Sequence, residues 1–210
     1  MATLITDPEL EQELLARRQA IGADRYDEVW EKVYVMAPMA NNEHQRLVTD
    51  LATVLNIIVG FSSTGQVFAG INLSDRKENW RQNYRCPDIA VFLAETKAEN
   101  CGAFWYGGPD LAIEVVSPAD RTRKKLTFYG QIGTRELLII DRDPWSLTLF
   151  HLQQNQLTQS GTSTTADPQI LSSCVIPLKW QLLVNSEDGR RTIKVSHFDG
   201  EQEWNLRGMD

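Results

Sequence analysis

Leu111-Ala112-Ile113-Glu114-Val115-Val116 is apolar at every position except Glu114. A run apolar on both strand faces predicts a central strand covered on both sides. An unpaired carboxylate in such a strand costs several kcal/mol and is driven toward protonation. Something cationic has to compensate Glu114: a metal ion, a lysine or an arginine. The plain alternative is a buried structural salt bridge.

Working outward, Gly107-Gly108-Pro109 bounds this strand on one side and Ser117-Pro118 on the other. Ser117-Pro118-Ala119-Asp120 has a capping residue, a first-turn proline and an acidic third position, the order expected at a helix start. Leu126, Tyr129 and Ile132 mark the buried stripe of that helix, Gly133 ends it, and Leu137–Ile140 follows as a strand. Strand, helix, strand is the unit from which parallel and mixed sheets are built.

Upstream, Val33–Met36 reads as a short strand stopped by Pro38. Asn41-Asn42-Glu43-His44-Gln45 opens a helix, with Asn42 as cap and Gln45 at the reciprocal capping-box position. Leu47, Leu51, Val54, Leu55 and Ile58 continue at helical spacing up to Gly60. Val67–Leu73 and Asp88–Leu93 are strand candidates, the second entered through Pro87. Beyond Asp143-Pro144 come strand-like runs at Ser146–His151, Cys174–Pro177 and Thr192–Phe198, with Gln153–Asp167 expected as a mobile loop. These pieces predict one α/β domain: an N-terminal helical extension over 1–24, a core over 25–152 and a β-rich C-terminal extension over 153–210. That extension is expected to add to a sheet edge or form a dimerisation ribbon.

Asp88 opens its strand and Glu114 lies inside another; if the two strands are neighbours, the carboxylates converge. Turn chemistry is the simpler account of an isolated Pro-Asp before a strand. Two hard oxygen ligands plus a backbone carbonyl, for example that of Val115, suit Mg²⁺ with waters completing its shell. Lys125 precedes Leu126 and lies one turn before Tyr129, so its side chain can bend back toward the strand end. This register favours it over Lys124, although a surface lysine is the ordinary outcome for any single Lys.

At 210 residues, 42% hydrophobic and 23% charged, the chain is in the range of an ordinary globular domain. Cys86, Cys101 and Cys174 are scattered, and neither a CxxC pair nor a histidine cluster points to a disulfide framework or a zinc site. A reducing cytoplasm is the expected compartment, and no apolar run reaches membrane-spanning length. The net charge of −7 argues mildly against nucleic acid. Binding follows local potential, however, and two basic stretches stand out. Arg121, Arg123, Lys124 and Lys125 form one; Arg76, Lys77, Arg81 and Arg85 form the other. Solvated surface faces are the alternative for both.

At these residues the chain resembles the Uma2 family of restriction-endonuclease-like proteins, a branch of the PD-(D/E)xK nuclease superfamily. The resemblance rests on Arg85–Val91, Pro109–Pro118, Lys125–Tyr129 and Gly133–Asp141, with Tyr26–Met36 and the Glu43-His44 helix start adding to it. It covers about Tyr26 to His151. It implies an α/β restriction-endonuclease-like core: a mixed central sheet flanked by helices, with the site at one end. Asp88 and Glu114 would then be metal ligands and Lys125 the catalytic lysine. In the commoner superfamily pattern the lysine lies two residues after the glutamate. Val116 holds that position here, and the lysine has moved to the helix, as is usual in Uma2. Glu43 would be a further acidic residue and His44 its neighbour, although a first-turn helix charge and a capping or packing histidine explain them equally well. Family members commonly carry a glycine in the first hairpin turn, a region occupied here by Glu31 and Lys32.

The implied reaction is Mg²⁺- or Mn²⁺-dependent hydrolysis of nucleic-acid phosphodiester bonds, with DNA as the expected substrate. Arg85, Arg121, Arg123 and Lys124 are the expected phosphate contacts. Cutting both strands ordinarily takes two sites, which favours a homodimer. The competing function is a catalytically silent nuclease-fold module that binds nucleic acid or protein. A glycosidase carboxylate pair is weaker because it leaves Lys125 without a role.

Overall fold

A computed structural model describes residues 8–37, 40–117 and 121–208. Its centre is a six-stranded mixed sheet. Leu111–Val115 runs parallel to Glu136–Arg142 and antiparallel to Ile89–Leu93, which pairs in turn with Gly65–Ala69. On the other side, Trp145–Gln153 and Gln156–Thr164 extend the sheet as an antiparallel hairpin. The apolar run that contains Glu114 is thus an inner strand, buried at every position from Leu111 to Val115. This is the mixed central sheet flanked by helices expected from the sequence.

Alternation along these strands builds two cores. Ile89, Val91, Leu111, Ile113, Val115, Leu138 and Ile140 face the helix Asn42–Leu55, through Leu47, Leu51, Val54 and Leu55. The same core takes in Leu178, Trp180, Leu182, Ile193 and Val195 of a separate four-stranded C-terminal sheet. The opposite sheet face carries Ala90, Phe92, Ala112, Leu137 and Ile139 against Phe128 and Tyr129 of the helix Leu126–Gln131. Gly130 lets that helix sit on the hairpin turn: a Cβ there would stand 2.6 Å from the Asn155 carbonyl oxygen.

A second six-stranded sheet of short strands includes the hairpin Glu28–Trp30 and Val33–Val35. Its two turn residues, Glu31 and Lys32, both have positive φ, 47° and 69°, the primed geometry that suits the twist of a hairpin. Without a glycine, side-chain and backbone bonds hold it. The Glu31 N–H donates to Asn83 Oδ1 at 3.1 Å, Asn83 Nδ2 donates to Glu31 Oε1 at 2.7 Å, and the Lys32 N–H donates to the Gln82 carbonyl at 2.8 Å.

Several boundaries differ from those expected. The cap of the Asn42–Leu55 helix is Asn41, whose side chain accepts the His44 N–H at 2.9 Å, so Asn42 and Gln45 do not form the capping box. Residues 118–120 of the expected helix start lie outside the described residues, as does Pro38; the described part is a 3₁₀ turn, Thr122–Lys125, that runs into Leu126–Gln131. The expected mobile loop Gln153–Asp167 is mostly the edge strand Gln156–Thr164. An edge strand rich in Thr, Ser and Gln, with one face toward solvent, has a polar composition that resembles a loop. Cys174–Pro177 is a bend between strands, and Glu203–Arg207 is a strand the apolar pattern does not reveal.

Trp180 is fully buried where the helix, the central sheet and the C-terminal sheet meet. Trp180→Ala is expected to cost about 3–5 kcal/mol in equilibrium denaturant unfolding. A loss below about 1 kcal/mol, typical of surface changes, would show that the C-terminal sheet does not share this core.

Candidate active site

Glu114 lies on the face of its strand that looks toward the helix Leu126–Gln131, and it is 3% exposed. Its compensation comes from that segment. Lys125 Nζ lies 2.9 Å from Oε1 and 3.2 Å from Oε2, and the Tyr129 hydroxyl donates to Oε1 at 2.5 Å. Lys125 and Tyr129 are four residues apart at the start of a helix, which places both on one face. Of the options open at sequence level, the lysine is the cation that meets Glu114. Lys125 itself is 8% exposed, which sets it apart from its neighbours Arg123 and Lys124, both exposed.

The ammonium has a second carboxylate partner that sequence reasoning missed. Glu28 Oε1 lies 2.8 Å from Lys125 Nζ and accepts the Cys86 N–H at 2.9 Å, while Oε2 accepts the Trp30 indole N–H at 2.6 Å. The same argument that singles out Glu114 applies to Glu28: a carboxylate opens the strand Glu28-Val29-Trp30 and is buried there. A three-residue strand offers too short an apolar run for that signal to stand out.

Asp88 sits where Ile89–Leu93 begins, next to the Leu111–Val115 strand. Its Oδ2 accepts the Val115 N–H at 2.7 Å and its Oδ1 lies 2.8 Å from His44 Nε2. Val115 therefore meets Asp88 through its amide. His44 Nδ1 is 3.3 Å from the Ser117 hydroxyl, so the ring is held from both sides. With its side chain 22% exposed, Asp88 is the most open carboxylate of the group. Glu43 faces a different cation: Arg142 Nη1 donates to Glu43 Oε2 at 3.1 Å and to Asn41 Oδ1 at 2.8 Å, while Nε donates to the Val116 carbonyl at 3.1 Å. Arg142, which sequence reasoning missed, ties the helix start to the end of the Glu114 strand.

The expected phosphate contacts fare unequally. Arg85 is not on the surface: its guanidinium lies between the rings of Trp30 and Phe128, 4.6 and 4.2 Å from their centroids, and donates to the carbonyls of Val29 and Tyr84. Burial lowers its pKa. An arginine so enclosed cannot reach a phosphate, and that expectation is corrected. Arg123 is exposed but forms a two-pronged bond with Asp141, at 3.0 and 2.7 Å. Lys124 is exposed and Arg121 half-buried. In the second basic stretch, Arg76 bonds Asp75 and Glu31, and Lys77 bonds Glu99. Acidic neighbours thus balance much of the local positive charge.

Desolvation is the largest influence on Glu114 and raises its pKa; Lys125 opposes this, and the nearby Asp88 and Glu28 add to it, so the carboxyl is pushed up to about 8. Burial likewise pushes the Tyr129 hydroxyl and the Cys86 thiol upward. Glu114 and Glu28 thus bracket the Lys125 ammonium, and Asp88 lies close enough to Glu114 to act on its charge. A set of hard oxygen donors with more carboxyl groups than cations fits a divalent ion of the Mg²⁺ type. In the arrangement described, Lys125 occupies the space between Glu28 and Glu114.

No helix among the described residues is long and apolar enough to cross a membrane. No curated protein matches the chain. Among solved structures, a protein from Anabaena variabilis ATCC 29413, described as "a putative nuclease belonging to DUF820", is 21% identical. The match covers 70% of this chain and 80% of that one, with a TM-score of 0.55, so the two share a fold. The family model Uma2, described as "Putative restriction endonuclease", matches residues 13–185, a span that holds Glu28, Asp88, Glu114 and Lys125. This chain is a member of the Uma2 family.

Proposed function

We propose that this protein is a divalent-metal-dependent endonuclease that hydrolyses phosphodiester bonds of DNA. The observation that carries this reading is the buried Glu114 carboxylate, met at 2.9 Å by a lysine from the following helical segment. Asp88 is anchored at the adjoining strand end. The family description and the solved relative support the reaction class.

In this reading Asp88, Glu114 and the Val115 backbone carbonyl would hold Mg²⁺ or Mn²⁺. When bound, such an ion would supply Lewis acidity toward the scissile phosphate and the attacking water. The rest falls to the chain. His44 orients Asp88, and Tyr129 fixes Glu114 by a hydrogen bond to one oxygen. Lys125, freed in part from Glu28 and Glu114, orients the attacking water or stabilises charge on the phosphoryl oxygens. Lys124 and Arg121 contact the phosphate backbone, joined by Arg123 when it releases Asp141. A homodimer would bring two such sites to the two strands of a duplex.

A second reading has its own support. Lys125 already bridges two carboxylates, Arg85 is enclosed, and Arg123 is paired. Together with the net charge of −7, this suits a nuclease-fold module that binds without cutting, in which the Glu114 cluster is purely structural.

Cleavage of DNA is expected with Mg²⁺ or Mn²⁺ and not with excess chelator. Glu114→Gln, with its fold checked by circular dichroism, should abolish cleavage and weaken Mn²⁺ binding at least tenfold in calorimetry. Cutting that survives both the chelator and the substitution would exclude the proposed mechanism, and the absence of cutting on any nucleic acid would favour the silent module. Lys125→Ala should keep Mn²⁺ binding and lower the cleavage rate by about 10²-fold or more, the scale of losing one transition-state charge contact.

The raised pKa of Glu114 sets a pH dependence. Burial raises the Glu114 pKa to about 8, so protons compete with a metal ion for that carboxylate more strongly as pH falls. Mn²⁺ affinity is therefore expected to rise with pH and level off above about 8. Calorimetry in buffers of different ionisation enthalpy should show proton release in the lower range and little above it. Affinity that falls as pH rises would contradict this assignment.

A further inference from the structure

Away from the Glu114 cluster, three potential metal ligands of different chemistry come together. Glu136 opens its strand, and its register partner on the next strand is His151. Cys174 arrives from the bend that leads into the C-terminal sheet. One ligand atom from each residue lies within 4.8 Å of the others.

The Glu136 side chain is fully buried. Its Oε2 accepts the Cys174 N–H at 2.7 Å and the Cys174 thiol also faces this carboxylate, while Oε1 makes no other hydrogen bond among the described residues. A buried carboxylate oxygen without a partner is costly unless a cation or proton meets it. His151 Nε2 is also buried; it stands 3.2 Å from Glu136 Oε2 but is not aligned for a hydrogen bond. Two such atoms, close but misaligned for proton sharing, are placed as ligands to a common ion are. The bend that carries Cys174 is held in place: Ser173 Oγ accepts the N–H groups of Val175 and Ile176 at 3.2 and 3.1 Å.

We infer that Glu136, His151 and Cys174 form a second metal site, which takes a zinc-type divalent ion. Carboxylate, imidazole and thiolate together match Zn²⁺ and its Co²⁺ analogue, whereas Mg²⁺ seeks oxygen donors alone. With bonds of about 2.0–2.3 Å, a tetrahedral ion separates its ligand atoms by roughly 3.5 Å. Modest side-chain rotation therefore closes the site. Three protein ligands leave the fourth position to water. Because Glu136 and His151 belong to the central sheet and Cys174 to the lead-in of the C-terminal sheet, a bound ion clips the two together. Its readout is stability, and it stands whether or not the chain cuts nucleic acid.

The test uses the full chain, stripped of metal by chelator and titrated with Co²⁺ under reducing conditions. A saturable one-to-one sulfur-to-cobalt charge-transfer band is expected, bleached by Zn²⁺ and unaffected by excess Mg²⁺. Cys174 is solvent-exposed, so Cys174→Ser should fold normally and lose the band. Glu114→Gln should keep it. His151→Ala should weaken Co²⁺ binding at least tenfold. Zn²⁺ should raise the thermal midpoint of the wild type and leave that of Cys174→Ser unchanged. Absence of the band in the wild type, or its persistence in Cys174→Ser, overturns the site.

Discussion

A carboxylate inside a strand buried on both faces can persist only if something charged is brought to it. In this chain that demand is met by Lys125 and Tyr129, both directed at Glu114 from the helical segment that follows it in sequence. Placing the cation on the helix has a structural benefit. The position two residues after Glu114 is Val116, so the strand keeps its apolar character and remains an inner member of the sheet. A lysine on the strand itself would put two charged groups on one face of an inner strand. Removing one partner of such a buried pair costs far more than the pair contributes, so helix, strand and the short Glu28 hairpin constrain one another.

The sheet's central strands were legible because full burial writes itself as unbroken apolar sequence. Leu111–Val115 and Ile89–Leu93 are evident on that ground, and so is the helix that carries Leu47, Leu51 and Val54. The margins were harder. Gln156–Thr164 is a strand of polar composition whose ladder, not its side chains, holds it in place. The cap at Asn41 instead of Asn42 reflects how little two adjacent asparagines differ in sequence terms. Glu31 and Lys32 adopt left-handed geometry because Asn83 and Gln82, some fifty residues away, hold it there. No local pattern encodes such a partner.

Within the site, Glu114 was legible from burial alone, and its meeting with Lys125 from helical register and family resemblance together. Glu28 and Arg142 were not, because each acts through a contact between segments distant in the chain. Arg85 shows the converse limit. Its charge suggests a surface role, yet the flanking Trp30 and Phe128 accept the guanidinium plane between them. Cationic sequence clusters thus overstate the positive surface this protein presents.

The contributors to the Glu114 cluster come from four separate stretches, the first at Glu28 and the last at Lys125 and Tyr129. During folding, the Glu114–Lys125 pair, 11 residues apart, can close early, whereas the Glu28–Lys125 contact waits for a far longer loop. Until that loop closes, Glu28 lacks its cation while Glu114 already has Lys125. Docking of the short hairpin is therefore the step that completes the cluster. Opening of the short hairpin would accordingly withdraw Glu28 and leave Glu114 with Lys125 and Tyr129.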